Sequence, residues 1–159
     1  MKYLDEIVHV VPVIAPFDTT TTVTEFFTDI VGVKEYDAIE FVISFGAITG
    51  DTLVVKVYEC DSITPGTATA IAFTYRLTSA VLTDAVGAPT ACASTGLTIT
   101  AGDDDKVLLI DVDPAALTDG YPYVRVGIDP GASMTHLLTG AVVLLKPRYP
   151  QQTNISAVD

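Results

Sequence analysis

Apolar and polar side chains alternate with a period of two along most of this chain, and no window of helical length repeats its apolar positions at three and four residues. Strand-like runs fall at residues 6–14, 23–30, 38–47, 52–60, 69–77, 96–100, 106–112, 121–128 and 135–145. They are rich in Val, Ile, Thr, Tyr and Phe, which suit a pleated surface, and poor in helix formers. Between them stand turn signals such as Thr49-Gly50-Asp51, Thr64-Pro65-Gly66-Thr67, Gly102-Asp103-Asp104-Asp105 and Asp129-Pro130-Gly131. Many short strands at regular spacing predict an all-β fold, an antiparallel β-sandwich or jelly roll. The clearest hairpin pairs 38–47 with 52–60 across Ile48-Thr49-Gly50-Asp51.

One helical turn is expected at Asp113-Pro114-Ala115-Ala116-Leu117, with Asp113 as its cap, Pro114 in its first position and Gly120 ending it. Tyr121 or Tyr123 then opens the next strand, in the manner of the tyrosine corner of Greek-key sandwiches. The stretch from Leu117 to Gly131 is therefore expected to be a structural corner rather than the rim of an active site.

The two ends carry a different pattern. Residues 1–20 run from an apolar segment punctuated by Pro12 and Pro16 into four consecutive threonines, and residues 147–159 are extended by Pro147 and Pro150 without a core pattern. Both ends are expected to be arms around a single domain at 21–146. Prolines disfavour central strands, so the apolar residues of the arms suit pairing with a partner's edge. The partner-contacting candidates are Val8, Val10, Val11, Val13, Ile14, Phe17, Arg148, Tyr149 and Ile155.

Composition sharpens this picture. The chain has 159 residues, 49% of them hydrophobic, yet its formal net charge is -12 from 20 acidic and 8 basic side chains. Its mean hydropathy of +0.45 is high for such an acidic chain. The combination predicts apolar surface covered by other chains, that is, a homo-oligomer with an acidic outer face. The same charge repels phosphates and anionic lipid, so neither nucleic acid nor a membrane is an expected partner. No apolar run reaches the ~20 residues of a membrane span, and Asp5 and Glu6 stand where a signal peptide carries basic charge. Cys60 and Cys92 are two cysteines without zinc spacing, read as free thiols.

No catalytic constellation stands out. His9 and His136 occupy polar-face positions of strands, and no Gly-x-Ser-x-Gly elbow accompanies them. The run Gly102-Asp103-Asp104-Asp105-Lys106 lacks the spacing of a calcium loop and reads as a solvated turn. Asp111 and Asp113 share one face of a strand, as paired carboxylates do in acid–base catalysis, but nothing supplies their partners, and they are expected to point outward. Trp is absent, so no aromatic platform for glycans is evident; Tyr3, Tyr149 and the 61–67 loop are the residual candidates. Neither a metal nor a cofactor is expected, and the chain does not read as an enzyme.

Three stretches carry a resemblance: GDTLVVKVYECDSITPGTATAIAFTYRLTSAV, LTITAGDDDKVLLIDVDPAALTDGYPYVRVGIDPGAS and AVVLLKPRY. Across about residues 36–150, and most specifically over 111–125, the chain resembles small β-rich proteins of tailed bacteriophages and prophages encoded beside the major capsid protein. The resemblance implies a virion structural protein, foremost a head decoration (cement) protein on the outer capsid surface, with the major capsid protein as partner and a trimer as its assembly. A tail or head-fibre component, or a host-surface glycan-binding module, is the alternative.

Overall fold

The computed structural model describes residues 7–19, 24–149 and 157–158. In chain order the strands are β1 (His9–Thr19), β2 (Phe26–Phe27), β3 (Val31–Gly32), β4 (Tyr36–Thr49), β5 (Leu53–Cys60) and β6 (Ala68–Ile71). They continue with β7 (Phe73–Leu77), β8 (Thr90–Cys92), β9 (Leu97–Ile99), β10 (Val107–Val112), β11 (Tyr123–Pro130) and β12 (His136–Pro147). The first sheet runs β1-β12-β4-β10-β7-β8, and the second runs β2-β11-β5-β6, with β3 added to β11 and β9 to β5. Every pair is antiparallel.

The pairs are nested. β1 pairs with β12, β2 with β11, β4 with β10, and β5 with β6. A chain paired from its outside inward and rolled into two sheets is a jelly roll. The fold is all-β, as the period-two pattern requires.

Alternate residues of each strand build the core between the sheets. Ile39, Phe41, Ile43, Leu108, Ile110, Val143 and Leu145 come from the first sheet, and Leu53, Val55, Val57, Val126 and Ile128 from the second. Each is at most 2% exposed, and burying such a side chain contributes ~1.5–3 kcal/mol.

Three expectations are corrected. Residues 38–47 and 52–60 form strands but not a hairpin: β4 lies between β12 and β10, while β5 lies in the other sheet beside β11. The turn at Gly50 (φ 99°) crosses from one sheet to the other. Period-two alternation fixes which face of a strand is buried, not which strand lies beside it. The run 69–77 divides at Ala72, so that β6 stays in the second sheet and β7 joins the first.

The described residues of both arms also pack on the domain. Residues 9–19 pair with β12 from His9↔Leu145 to Thr19↔Leu137, with irregularities on either side of Ile14. Val11 and Val13 enter the core at 7% and 4% exposure, so they are not free to meet a partner. Proline is tolerated here because β1 is an edge strand. At the other end β12 runs through Pro147, the Arg148 N–H donates to Glu35 O at 2.9 Å, and Ala157 and Val158 pack against the core.

The 113–117 turn forms as expected, a 3₁₀ turn at Pro114–Ala116 with Asp113 accepting the Ala115 N–H at 2.9 Å. The corner that follows is held by Glu59, which is 4% exposed and accepts the Thr118 N–H at 2.9 Å.

Candidate functional site

The outward faces of the two sheets differ. On the second sheet, Gly127 of β11 lies between Phe27 and Lys56, and Arg125 lies beside Tyr58. The Arg125 guanidinium covers the Phe27 ring at 3.8 Å, and Phe27 meets Tyr58 edge to face. The Tyr58 hydroxyl donates to Glu25 Oε1 at 2.8 Å, and Lys56 faces Asp129 at 3.8 Å. Burial and the bond to Glu25 push the Tyr58 hydroxyl up to about 12. Glu25 and Tyr58 satisfy one another across the face, while Arg125 meets the two rings and its buried Nε has no hydrogen-bond partner.

The first sheet presents something else. One cross-strand row reads Pro12, Val142, Val42, Leu109 and Arg76. The next reads Val10, Leu144, Glu40, Asp111 and Thr74. The outward positions of β1, β12, β4 and β10 are thus mostly aliphatic, and Val10 and Leu138 are 46% and 41% exposed. On a chain with a net charge of -12 this is an apolar sheet face without a covering layer among the described residues.

Two grooves mark the ends of the face. One, of about 530 Å³, is lined by Pro12, Ile14, Pro16, Val42, Phe45 and Leu138, with Asp105 its one charged residue. The other, of about 520 Å³, has an apolar floor of Val8, Ala38 and Leu144 walled by Asp37, Glu40, Asp111 and Asp113, with Lys146 as its one cation. Arg76 reaches Glu40 and Asp111 at 3.2 Å each, one cation for two carboxylates. Burial, then the charge of Asp111, raises the Glu40 pKa against the pull of Arg76.

The residues expected to meet a partner separate accordingly. Val10 is exposed on the apolar face, Val8 lines the acidic groove and Ile14 the apolar one. Phe17 packs edge to face on Phe26 at 5.1 Å. Arg148 is tied to Asp37 at 3.2 Å and to Tyr36 O at 3.3 Å, while Tyr149 stands 68% exposed. Ile155 and Tyr3 lie outside the described residues. Asp111 and Asp113 do point outward, one to Arg76 and one to its cap.

The other candidate chemistry resolves into structural contacts. His9 Nδ1 lies 3.1 Å from the Tyr36 hydroxyl, and His136 Nδ1 lies 2.9 Å from Asp18. Asp103 closes a capping box with Thr100 and pairs with Lys106 at 3.0 Å, and Asp104 accepts the Ile48 N–H at 2.9 Å. Burial pushes the Asp103 carboxyl up, but the Thr100 N–H, Lys106 and the Thr100 hydroxyl together hold it below its usual value. Cys60 and Cys92 are free thiols, each raised by burial.

The apolar face itself escaped the sequence reading, although a signal was present. Phe41-Val42-Ile43, Val107-Leu108-Leu109-Ile110 and Ala141-Val142-Val143-Leu144-Leu145 are continuous apolar runs, the mark of strands covered on both faces.

No protein-family model matches the chain, and neither does any curated protein. Among solved structures the chain is similar to the SPBc2 prophage-derived protein YomS, with 18% identity over 88% of this chain and 96% of that one and a TM-score of 0.44. It is also similar to a chain of the T13 IBDV viral particle, with 11% identity over 91% of this chain and 40% of that one and a TM-score of 0.30. A chain of the infectious bursal disease virus Gt strain gives 11% identity over 94% and 42%, with a TM-score of 0.28. These likenesses are weak in shape as well as in sequence, so the functional reading rests on the chain's own residues.

Proposed function

We propose that this protein is a structural component of a bacteriophage particle, a decoration protein that binds the outer surface of the major capsid shell and stabilises it without catalysis. The observation that carries the reading is the aliphatic outer face of the first sheet, on a chain otherwise dominated by carboxylates. Covering that face removes apolar area from water, at ~25 cal/mol per Å². The resemblance to small phage proteins supports a virion as the setting, and a jelly roll is a fold that viral particles use. An acidic chain fits the outside of a shell better than an interior packed against phosphate.

The connectors, on this reading, are faces and loops rather than free arms. Pro12 and Pro16 leave the edge strand β1 without an N–H at two positions, which makes it a poor template for strand addition. Stabilisation comes from many modest contacts across capsid seams.

The test is binding to expanded capsid shells stripped of this protein. Added chain is expected to bind at a fixed stoichiometry and raise the temperature at which the shells rupture, and Val42→Lys is expected to lose both effects. Shells that take up none of it contradict the reading.

A further inference from the structure

We infer that the outward face of the second sheet binds a carboxylate carried on an apolar stem, the glutamate side chain of a partner protein, with the Arg125 guanidinium as the anion-binding group. The inference does not rest on the decoration reading, and its site lies on the other sheet from the aliphatic face.

Arg125 differs from the other arginines. Arg76 holds Glu40 and Asp111 at 3.2 Å each, and Arg148 holds Asp37 at 3.2 Å. Among the described residues Arg125 has neither an ion pair nor a hydrogen bond, on a chain with 20 acidic side chains. Two acids of its face are engaged elsewhere: Glu25 accepts the Tyr58 hydroxyl at 2.8 Å, and Asp129 faces Lys56 at 3.8 Å. The Arg125 charge is met only by two rings, Phe27 at 3.8 Å and Tyr58 at 5.7 Å.

This stacking prepares the cation for a ligand. A guanidinium packed on a ring has less freedom to lose when it binds. The Arg125 Nε is buried, whereas its two Nη groups, equally without partners, keep contact with solvent. Two parallel N–H bonds from such an edge fit the two oxygens of a carboxylate. Gly127, two residues along β11, and Ala70, across Tyr58, carry no side chain long enough to cover it.

Chemistry selects the ligand. A phosphate brings nearly two negative charges and a carboxylate only one, so a chain of net charge -12 disfavours phosphate more. Repulsion from distant carboxylates is screened beyond ~8 Å at physiological ionic strength, which leaves the local, unbalanced cation to decide. Phe27 is 37% exposed although it is a large apolar residue. Its open ring area beside the cation offers methylene groups a surface to cover. A glutamate side chain supplies both the planar anion and the methylenes.

Nuclear magnetic resonance on the isotope-labelled full chain tests this, because burial slows the exchange of the Arg125 Nε–H with water and keeps its signal observable. The probes are the peptide acetyl-Ala-Glu-Ala-amide, its Gln counterpart and inorganic phosphate, at constant ionic strength. The Glu peptide is expected to shift the Arg125 Nε–H and the Phe27 ring signals along a saturable curve with a midpoint of ~1–10 mM. The Gln peptide and phosphate are expected to bind about tenfold more weakly or worse. Arg125→Lys keeps the charge without the planar fork and is expected to weaken the Glu peptide about tenfold. Phe27→Leu, which leaves Arg125 without its ring, is expected to weaken it several-fold. The comparison of the three probes on wild type holds even if a variant unfolds. Equal response to the Glu and Gln peptides, tighter binding of phosphate, or a parallel shift of the already paired Arg148 overturns the inference. Such a failure leaves the uptake of the chain by stripped shells untouched.

Discussion

Thr28 and Val126 are 98 residues apart in sequence and are joined twice: the Thr28 N–H donates to Val126 O at 2.9 Å, and the Val126 N–H donates to Thr28 Oγ1 at 3.0 Å. Beyond the two residues of β2, a side chain thus takes over the ladder that holds the edge of the second sheet. Thr28 is 4% exposed, so no water replaces its hydroxyl. Thr28→Val keeps the shape but strands the Val126 N–H, a change expected to cost ~1–3 kcal/mol. Thr28→Ser is expected to keep most of the stability. Denaturant unfolding of the two variants checks the difference.

Gly127 is required by close approach rather than by its dihedrals. A Cβ there would lie 2.5 Å from Glu25 Oε1, 2.8 Å from Tyr58 Cε2 and 3.0 Å from Phe27 Cε1. Both rings are held, Tyr58 by its bond to Glu25 and Phe27 under Arg125. Gly127→Ala is expected to destabilise by ~1–3 kcal/mol, the range for overpacking. A crystal structure of the variant should show the Arg125–Phe27 stack displaced; an undisturbed stack with wild-type stability contradicts the account.

The Glu40 carboxyl predicts an unusual pH dependence. Its folded pKa lies above its ordinary value of 4.5, through burial and then Asp111. A carboxyl raised on folding contributes stability below its unfolded pKa and loses it as the pH climbs through the folded value. Glu40→Gln keeps an acceptor for Arg76 and removes that loss. The variant is expected to match or exceed wild-type melting temperature at pH 7, and to lose any advantage below pH ~4. A drop of several degrees at pH 7 would show that the Arg76 pair outweighs the burial.

Leu82 carries the opposite trade from a core residue. With φ 52° and 97% exposure it costs the isolated chain without return. Leu82→Gly is expected to stabilise the dilute, unassociated protein by ~0.5–1 kcal/mol, because glycine adopts this backbone freely. Thermal melts at low concentration read the change directly.

Much of the fold was legible because alternation fixes faces. The runs at 38–47, 52–60, 106–112, 121–128 and 135–145 became β4, β5, β10, β11 and β12 with small shifts. Pairing was not legible: β4 and β5 alternate alike and are adjacent in sequence, yet they do not pair with each other, and each has a long-range partner, β12 for β4 and β11 for β5. Of the shortest strands, β2 and β9 fall inside the runs 23–30 and 96–100, whereas β3 and β8, of two and three residues, leave no period to detect. The prolines of residues 9–19 read as an arm because they exclude a central strand, but they do not exclude an edge. Phe27, Arg125 and Tyr58 are distributed across three strands, and only the sheet brings them together.

The central claim is that this jelly roll sits on the outside of a phage particle with the aliphatic face of its first sheet covered. Imaging intact phage particles that carry this chain, at side-chain resolution, tests this proposal most directly. The account predicts density for the fold on the outer capsid surface, with Val42, Leu109, Val142 and Leu144 packed against another chain. Particles without this density, or with the chain present and that face open to solvent, contradict it.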